Sequence, residues 1–332
     1  MNVRVVLLSV LVAAAGAVAW YVTDTSVYTQ TMEPEPLVDN FVTGLDQLDT
    51  IEVETAEGLV FRANRQDQEW LATHLDEEQS FPVNQSRLST MVSRILNAKV
   101  IEHKTSKAEN YHLLGVANLG QDDADSTLLT LSSKDKEWQV LVGNMAKSQR
   151  GTFVRLPGKQ ASLLIDNRVR LPHAGSDWLA RQVLPFTAEE LQGIRFTKGN
   201  NTSLLLMRSE QTAEWEVVQV DNRPIEVAPE RLAYPGVIEQ AVKDLTEFRY
   251  LDVRAYFPAQ WQQQDPVGQV TFTLANERTV TAHLATTAEL NQYRVWFDYP
   301  DAGHWLSGWV FEVSGYQGRA FTLALDDLTD NT

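Results

Sequence analysis

Side chains able to do acid–base, metal or nucleophilic chemistry are scattered along this 332-residue chain rather than gathered. The histidines are His74, His103, His112, His173, His283 and His304. No two stand at the i, i+2 or i, i+4 spacing that turns a pair of imidazoles toward one metal ion. Only folding could bring distant ones together, and their default reading is surface or capped polar residues. Cysteine is absent, which removes disulfides, thiolate zinc sites, iron–sulfur clusters and a cysteine nucleophile together. The densest acidic stretch, Asp122-Asp123-Ala124-Asp125-Ser126, lacks the turn glycine and later bidentate glutamate of a calcium loop, and reads as a solvated loop. No G-x-S-x-G elbow occurs; Ser307 has His304 nearby in sequence, but spacing marks no third member. Phosphate loops and dinucleotide fingerprints are missing, so the chain is not expected to hydrolyse ATP itself. The residues predict a non-enzyme, with no catalytic residue, metal or cofactor.

The aromatic residues are more concentrated. From Tyr293 to Tyr316 run Trp296, Phe297, Tyr299, His304, Trp305, Trp309 and Phe311, around Pro300-Asp301-Ala302-Gly303, whose composition marks a hairpin turn. Either alternate aromatics of two strands fill a core, or they form an exposed patch that grips a protein or glycan partner, since Trp and Tyr dominate such contacts. In the second reading the partner-binding residues are Trp296, Tyr299, His304, Trp305 and Trp309. Side chains alternate along a strand, so Trp296 shares a face with Asp298, while Tyr293 shares one with Val295, Phe297 and Tyr299. Both faces are apolar at least once, and one is expected to be covered by something else.

Charge bounds the partners. Asp and Glu number 44 against 28 Lys and Arg, for a net charge of −16, and no basic run occurs. Such a field repels nucleic acid and anionic lipid headgroups, because phosphate binding needs clustered Lys and Arg. Nucleic acid is not expected as a partner.

The N-terminus sets the compartment. Val5 to Val22 is free of charge and follows Arg4, long enough to span a hydrocarbon core of roughly 30 Å. Trp20 and Tyr21 suit the interfacial belt, and Arg4 favours an N-inside orientation. The competing reading is a cleaved signal peptide with Ala17-Val18-Ala19 as its A-x-A site. The apolar run crosses that site and puts Trp20 after the cut, which favours an anchor over residues 1–22. Either way the remainder is exported. With no cysteine to staple it, the expected location is the periplasmic face of a bacterial inner membrane. Residues 23–49, acidic and containing Glu33-Pro34-Glu35-Pro36, read as an extended spacer, with a short helix within Leu37 to Leu48.

Beyond the spacer one plan is stated twice. Ile51-Glu52-Val53, Leu59-Val60-Phe61-Arg62, Glu69-Trp70-Leu71 and Phe81-Pro82-Val83 lead into a helix. Ile194-Arg195-Phe196, Leu204 to Arg208, Glu214 to Val217 and Ile225-Glu226-Val227 lead into another. Corresponding elements are offset by about 145 residues, a regularity that argues for duplication. The first helix carries Leu88, Met91, Val92, Ile95 and Leu96 as one apolar stripe after Asn84 as N-cap; the second carries Ile238, Ala241, Val242, Leu245 and Phe248, with Pro235 in its first turn. Alternating strands follow each: Leu129–Leu131, Trp138–Val142 and Thr152–Leu156, then Val270–Leu274, Val280–Leu284 and Tyr293–Phe297. Ser176 to Leu184 and Thr187 to Glu190 read as short helices between the copies, the latter with capping-box spacing. Asp326 to Asp330 reads as a frayed tail. The predicted fold class is α+β: a transmembrane helix, then two tandem units at 50–190 and 191–328, each an antiparallel sheet covered by an amphipathic helix.

The order of these pieces carries a resemblance. A Trp-bearing strand, a Pro-Val step and a helix ending Lys99-Val100-Ile101 precede Tyr111-His112-Leu113-Leu114-Gly115-Val116. Then come Val142-Gly143-Asn144, Thr152-Phe153-Val154-Arg155 and Ser176-Asp177-Trp178-Leu179. Over about residues 50 to 250 the chain resembles the domain of unknown function 4340 family. It departs from the pattern in lacking a tyrosine-glycine adjacency at Tyr111 and in the acidic insertion at Gln121 to Asp125. The resemblance implies an envelope protein with one N-terminal helix, partnered with the permease and ATPase subunits of an ABC-type transport system of the gliding-motility kind. It brings no catalytic residues with it. The alternative reading is a periplasmic module that captures a glycan or lipid between its repeats.

Overall fold

The computed structural model describes residues 33–330 apart from 39–40, 42–43, 123, 135, 148–150, 200–201, 259–265, 288–290 and 302. The expected anchor, 1–22, and the first part of the expected spacer lie outside the described residues. Among those described, no helix is long and apolar enough to cross a membrane. The last part of the expected spacer belongs to the fold. Glu35–Pro36 forms a short strand, β1, and Leu37, Val38 and Leu48 are buried. Apolar residues beside a nearby core gain more from burial than from extension, and only a 3-10 turn at Leu45–Gln47 stands where a helix was expected.

Strands appear where the apolar alternation is written. In β2 (Thr50–Thr55) Ile51 and Val53 face inward while their neighbours do not. The same period continues in β3 (Gly58–Gln66), β4 (Glu69–Ala72) and the short β5 (Phe81–Pro82). Helix α1 (Gln85–Leu96) then begins with Asn84 Oδ1 accepting from the Arg87 N–H at 3.1 Å, as the capping preference dictates. Leu88, Met91, Val92 and Ile95 are its buried stripe. The helix stops at Asn97, so Lys99-Val100-Ile101 is not its end. Lys99–His103 is strand β6, with Val100 inward, paired to β1 on one side. Next come the one-turn helix α2 (Tyr111–Leu114), β7 (Thr127–Ser133), β8 (Lys136–Met145), β9 (Thr152–Arg155) and β10 (Ser162–Ile165).

After 3-10 turns at Gly175–Trp178 and Ala188–Glu190, the second half supplies β11 (Leu191–Lys198), β12 (Thr202–Arg208), β13 (Trp215–Val220) and β14 (Arg223–Pro224). The extended step expected at Ile225–Val227 thus lies two residues earlier. Helix α3 (Val237–Thr246) starts after Gly236 in the left-handed region (φ 83°), leaving Pro235 outside its first turn. It is followed by β15 (Asp252–Ala255), β16 (Gly268–Leu274), β17 (Thr279–Thr286), β18 (Gln292–Asp298) and β19 (Trp309–Ser314). Two short helices, α4 (Gly315–Ala320) and α5 (Leu325–Leu328), close the chain. The expected frayed tail is docked instead: Leu328 is buried and its carbonyl accepts from the Ala233 N–H at 2.9 Å.

Among the described residues the strands make two sheets, ordered β1-β6-β10-β9-β8-β7-β2-β3-β4-β5 and β14-β13-β12-β11-β16-β17-β18-β19-β15. Apart from β1, the second repeats the order of the first with every label raised by nine. Each helix joins the strand at one edge to a strand near the other. A twelve-residue helix covers about 18 Å, whereas nine flat strands span roughly 38 Å, and sheet twist helps close the difference. Three of the four edge strands, β1, β5 and β14, are two residues long and end in Pro36, Pro82 and Pro224. Buried residues from both sheets belong to one continuous core.

Candidate functional site

Some of the residues that carried the family resemblance, Tyr111, Gly115, Val116, Gly143 and Arg155, meet in space. Arg155 ends β9 with its side chain inward and 3% exposed. Its guanidinium donates to the Val116 carbonyl at 2.9 Å, Asn118 Oδ1 at 2.6 Å and the Lys159 carbonyl at 3.2 Å, and lies 4.4 Å from the centre of the Tyr111 ring. Burial lowers its pKa from the ordinary arginine value, yet an arginine stays charged, and these acceptors and the ring face balance that charge. The glycines have steric reasons. Gly115 sits at φ 66°, and a Cβ on Gly143 would lie 2.4 Å from the Leu114 carbonyl oxygen. Trp178, fully buried, stacks on Phe61 at 4.9 Å and donates from Nε1 to the Pro172 carbonyl at 3.1 Å. These contacts hold structure and leave no reactive atom free.

The aromatic stretch divides among three places. Trp296, at 6% exposure, lies in a small cluster with Ala285, Val310 and Tyr256, separate from the main core. It stacks on His283 at 5.3 Å, whose Nε2 meets Asp298 Oδ2 at 2.7 Å. Its neighbour Phe297 points into the main core against Phe248 and Phe311, so each face of β18 does have an apolar cover. Tyr299 and His304 stack at 3.7 Å and are half-buried. Trp305 and Trp309 turn toward the other sheet. Phe81, in edge strand β5, is enclosed by Trp309 at 5.2 Å, Trp305 at 5.4 Å, and Tyr250 and Phe311 at 6.1 Å. Trp309 is 0% exposed and Trp305 half-buried. Tyr250, Trp305 and Trp309 meet Phe81 edge to face, the arrangement their quadrupoles favour, while Phe311 is tilted at 59°, and this cage is a seam between the two sheets.

Beside the seam is a cavity of about 640 Å³, lined by Arg181 and Gln182 from the connecting segment and by Glu247, Arg249, Tyr250 and Leu251. The Tyr250 hydroxyl donates to the Ala180 carbonyl at 2.6 Å, and burial raises its pKa far above the ordinary phenol value. Ser176 and Phe248 complete its lining, so the cavity offers cationic, anionic, hydroxyl and apolar contacts. Ser307 and His304 do not pair: Ser307 Oγ accepts from the Tyr299 N–H at 3.0 Å, and His304 Nδ1 accepts from the Leu306 N–H at 3.3 Å. Among the described residues no three His, Asp or Glu side chains are placed to share a metal ion. Sequence reasoning missed Phe81 and Arg155. An aromatic on a two-residue strand and an arginine ending an alternating one give no local sign of turning inward.

The architecture is that of an antiparallel α+β protein with two sheets on one core. The chain belongs to the DUF4340 family, a domain of unknown function, whose match covers residues 70–269, more than half of its length. The match runs from Trp70 in β4 to Gln269 in β16, so it takes in strands of both sheets. No curated protein and no solved structure matches the chain.

Proposed function

We propose that this chain is a non-catalytic subunit, anchored in a bacterial inner membrane by residues 1–22 with its body in the periplasm, that docks onto an ABC-type permease and ATPase. The body is read as two tandem units, 50–190 and 191–328, and the shared strand order supports that reading. The observation that carries the docking role is the seam: Phe81 caged by Trp305, Trp309, Tyr250 and Phe311 joins the two sheets through one aromatic cluster, which suits a scaffold that must hold a fixed shape against a membrane complex. Tyr299, His304 and the outer part of Trp305 remain the surface proposed for contact. The test is purification of the full chain in mild detergent. Permease and ATPase subunits in stoichiometric yield support the reading, and a chain recovered alone from its native membrane sinks it.

A second reading, a binding module for a glycan or lipid, draws on the 640 Å³ cavity at the seam. Leu251 is 52% exposed at its rim, and cavities at such junctions are common ligand sites. Saturable binding of a glycan or detergent-like lipid, lost in Leu251→Asp, would favour it.

A further inference from the structure

The sequence contains no basic run, yet the fold builds one from two distant segments. Helix α1 reads QSRLSTMVSRIL and carries no acid; the segment from Asn167 to His173 reads NRVRLPH and carries none either. Asn167 Nδ2 donates to the Arg94 carbonyl at 2.9 Å, and Arg94 reaches back to the Arg168 carbonyl at 3.3 Å. These bonds lay the segment along the helix and open a groove of about 730 Å³ between them. Ser86, Arg87, Thr90 and Arg94 form one wall, and Arg170 and His173 the other. One acid lines it, Asp177, already shared between Arg87 and Arg181. The nearest acid in sequence, Asp166, is occupied by the Lys99 backbone N–H at 2.9 Å. Among the described residues Arg94, Arg168 and Arg170 form no ion pair, and all three are exposed. The topologically equivalent helix α3, reading VIEQAVKDLT, instead carries Glu239 and Asp244.

Like charges so placed repel one another and cost stability unless an anion relieves them. Arginine forks match the oxygens of phosphate and carboxylate, and the hydroxyls of Ser86 and Thr90 add donors. A volume of this size suits a small ligand, while the net charge of −16 opposes long polyanions. We propose that this groove binds a compact oligoanion, a ligand bearing two or more phosphate or carboxylate groups, held by Arg94 and Arg170 with Arg87 at the far end. The groove shares no lining residue with the cavity beside the seam, and the proposal rests on neither functional reading above. Calorimetric titration of the full chain in detergent with inorganic pyrophosphate tests it, and co-sedimentation with phosphatidylglycerol vesicles asks whether the anion is carried by a lipid. We expect saturable pyrophosphate binding that weakens with salt and falls by about tenfold or more in Arg94→Gln/Arg170→Gln. Thr90→Glu, which leaves every arginine in place, should lower it similarly, while Arg223→Gln on β14 should not. Vesicle binding lost in the same variants assigns the anion to a lipid headgroup; vesicles ignored while pyrophosphate binds assign it to a soluble ligand. No saturable pyrophosphate binding, or binding unchanged in both groove variants, overturns the proposal. A detergent pull-down unaffected by these variants would leave the docking reading standing whatever the titration shows.

Discussion

Trp305 and Trp309 are four residues apart and touch the same phenyl ring, but their surroundings differ. Trp309 is wholly enclosed, so Trp309→Ala should remove about 3–5 kcal/mol, seen as a large fall in the urea midpoint. Trp305 keeps one side toward solvent, and Trp305→Ala should cost clearly less. Co-purification of a partner can then be measured on a folded Trp305 variant, which the Trp309 substitution does not allow. A second expectation concerns His74, whose pKa is lowered chiefly by burial against a partly opposing bond to the Arg62 carbonyl. In the unfolded chain it titrates near 6.5. As pH falls through that value, the unfolded state takes up a proton that the folded state refuses, so stability drops on acidification and is flat above it. His304 is lowered in the same direction, again mainly by burial. Urea midpoints at neutral and mildly acidic pH should show the fall, and His74→Gln should shrink it. A fall of unchanged size in that variant would assign it to other groups.

Helix α1 is stabilised at its start by one side chain. Asn84→Ala removes the acceptor for the Arg87 N–H and should cost about 1 kcal/mol, read as a thermal midpoint lower by about 2–4 °C. Helix α3 begins after Gly236 with no side-chain cap, so the same kind of change there has nothing to remove. The stripe and cap of α1 were legible in the sequence because both are local: a 3.6-residue period and one residue type at one place. Strand β2 was legible for the same reason. Strand β6 was not, because Lys99-Val100-Ile101 prolongs the apolar pattern of the helix, and only pairing with β10 and β1 makes it extended. Strand β10, Ser162-Leu163-Leu164-Ile165, lacks alternation and goes unmarked for want of a period. The aromatic stretch looked surface-active in sequence because it is apolar on both faces. Half of its cover, Phe81, lies more than two hundred residues away in the chain. The arginine groove was hidden in the same way, its two walls being separated by some seventy residues.

At the scale of the molecule, the two sheets share one core and are joined by the aromatic cage, by the bond from Tyr250 to Ala180 and by the docking of the connecting segment beside β5, where the Ala180 N–H donates to the Pro82 carbonyl and Leu179 bridges Val83. Cooperative units follow buried contacts, so calorimetry of the full chain should give a single heat-absorption peak for the body. Phe81→Ala empties the cage, should cost about 3–5 kcal/mol, and should broaden or split that peak as the sheets part company. Two well-separated peaks in the unsubstituted protein would show that the seam is weak.

The proline-ended edges described above have a consequence for assembly. A strand can be extended by a neighbouring chain only through free backbone donors and acceptors along a usable length. Pro36, Pro82 and Pro224 have no N–H to give, and two residues offer almost no length. The remaining border, β15, carries Asp252 and Arg254. This body is therefore poorly suited to recruiting a partner by β-augmentation and equally poorly suited to polymerising with its own copies. A partner is instead expected to read side chains on its faces and loops, and crowding many copies together should leave them separate rather than zipped into fibres.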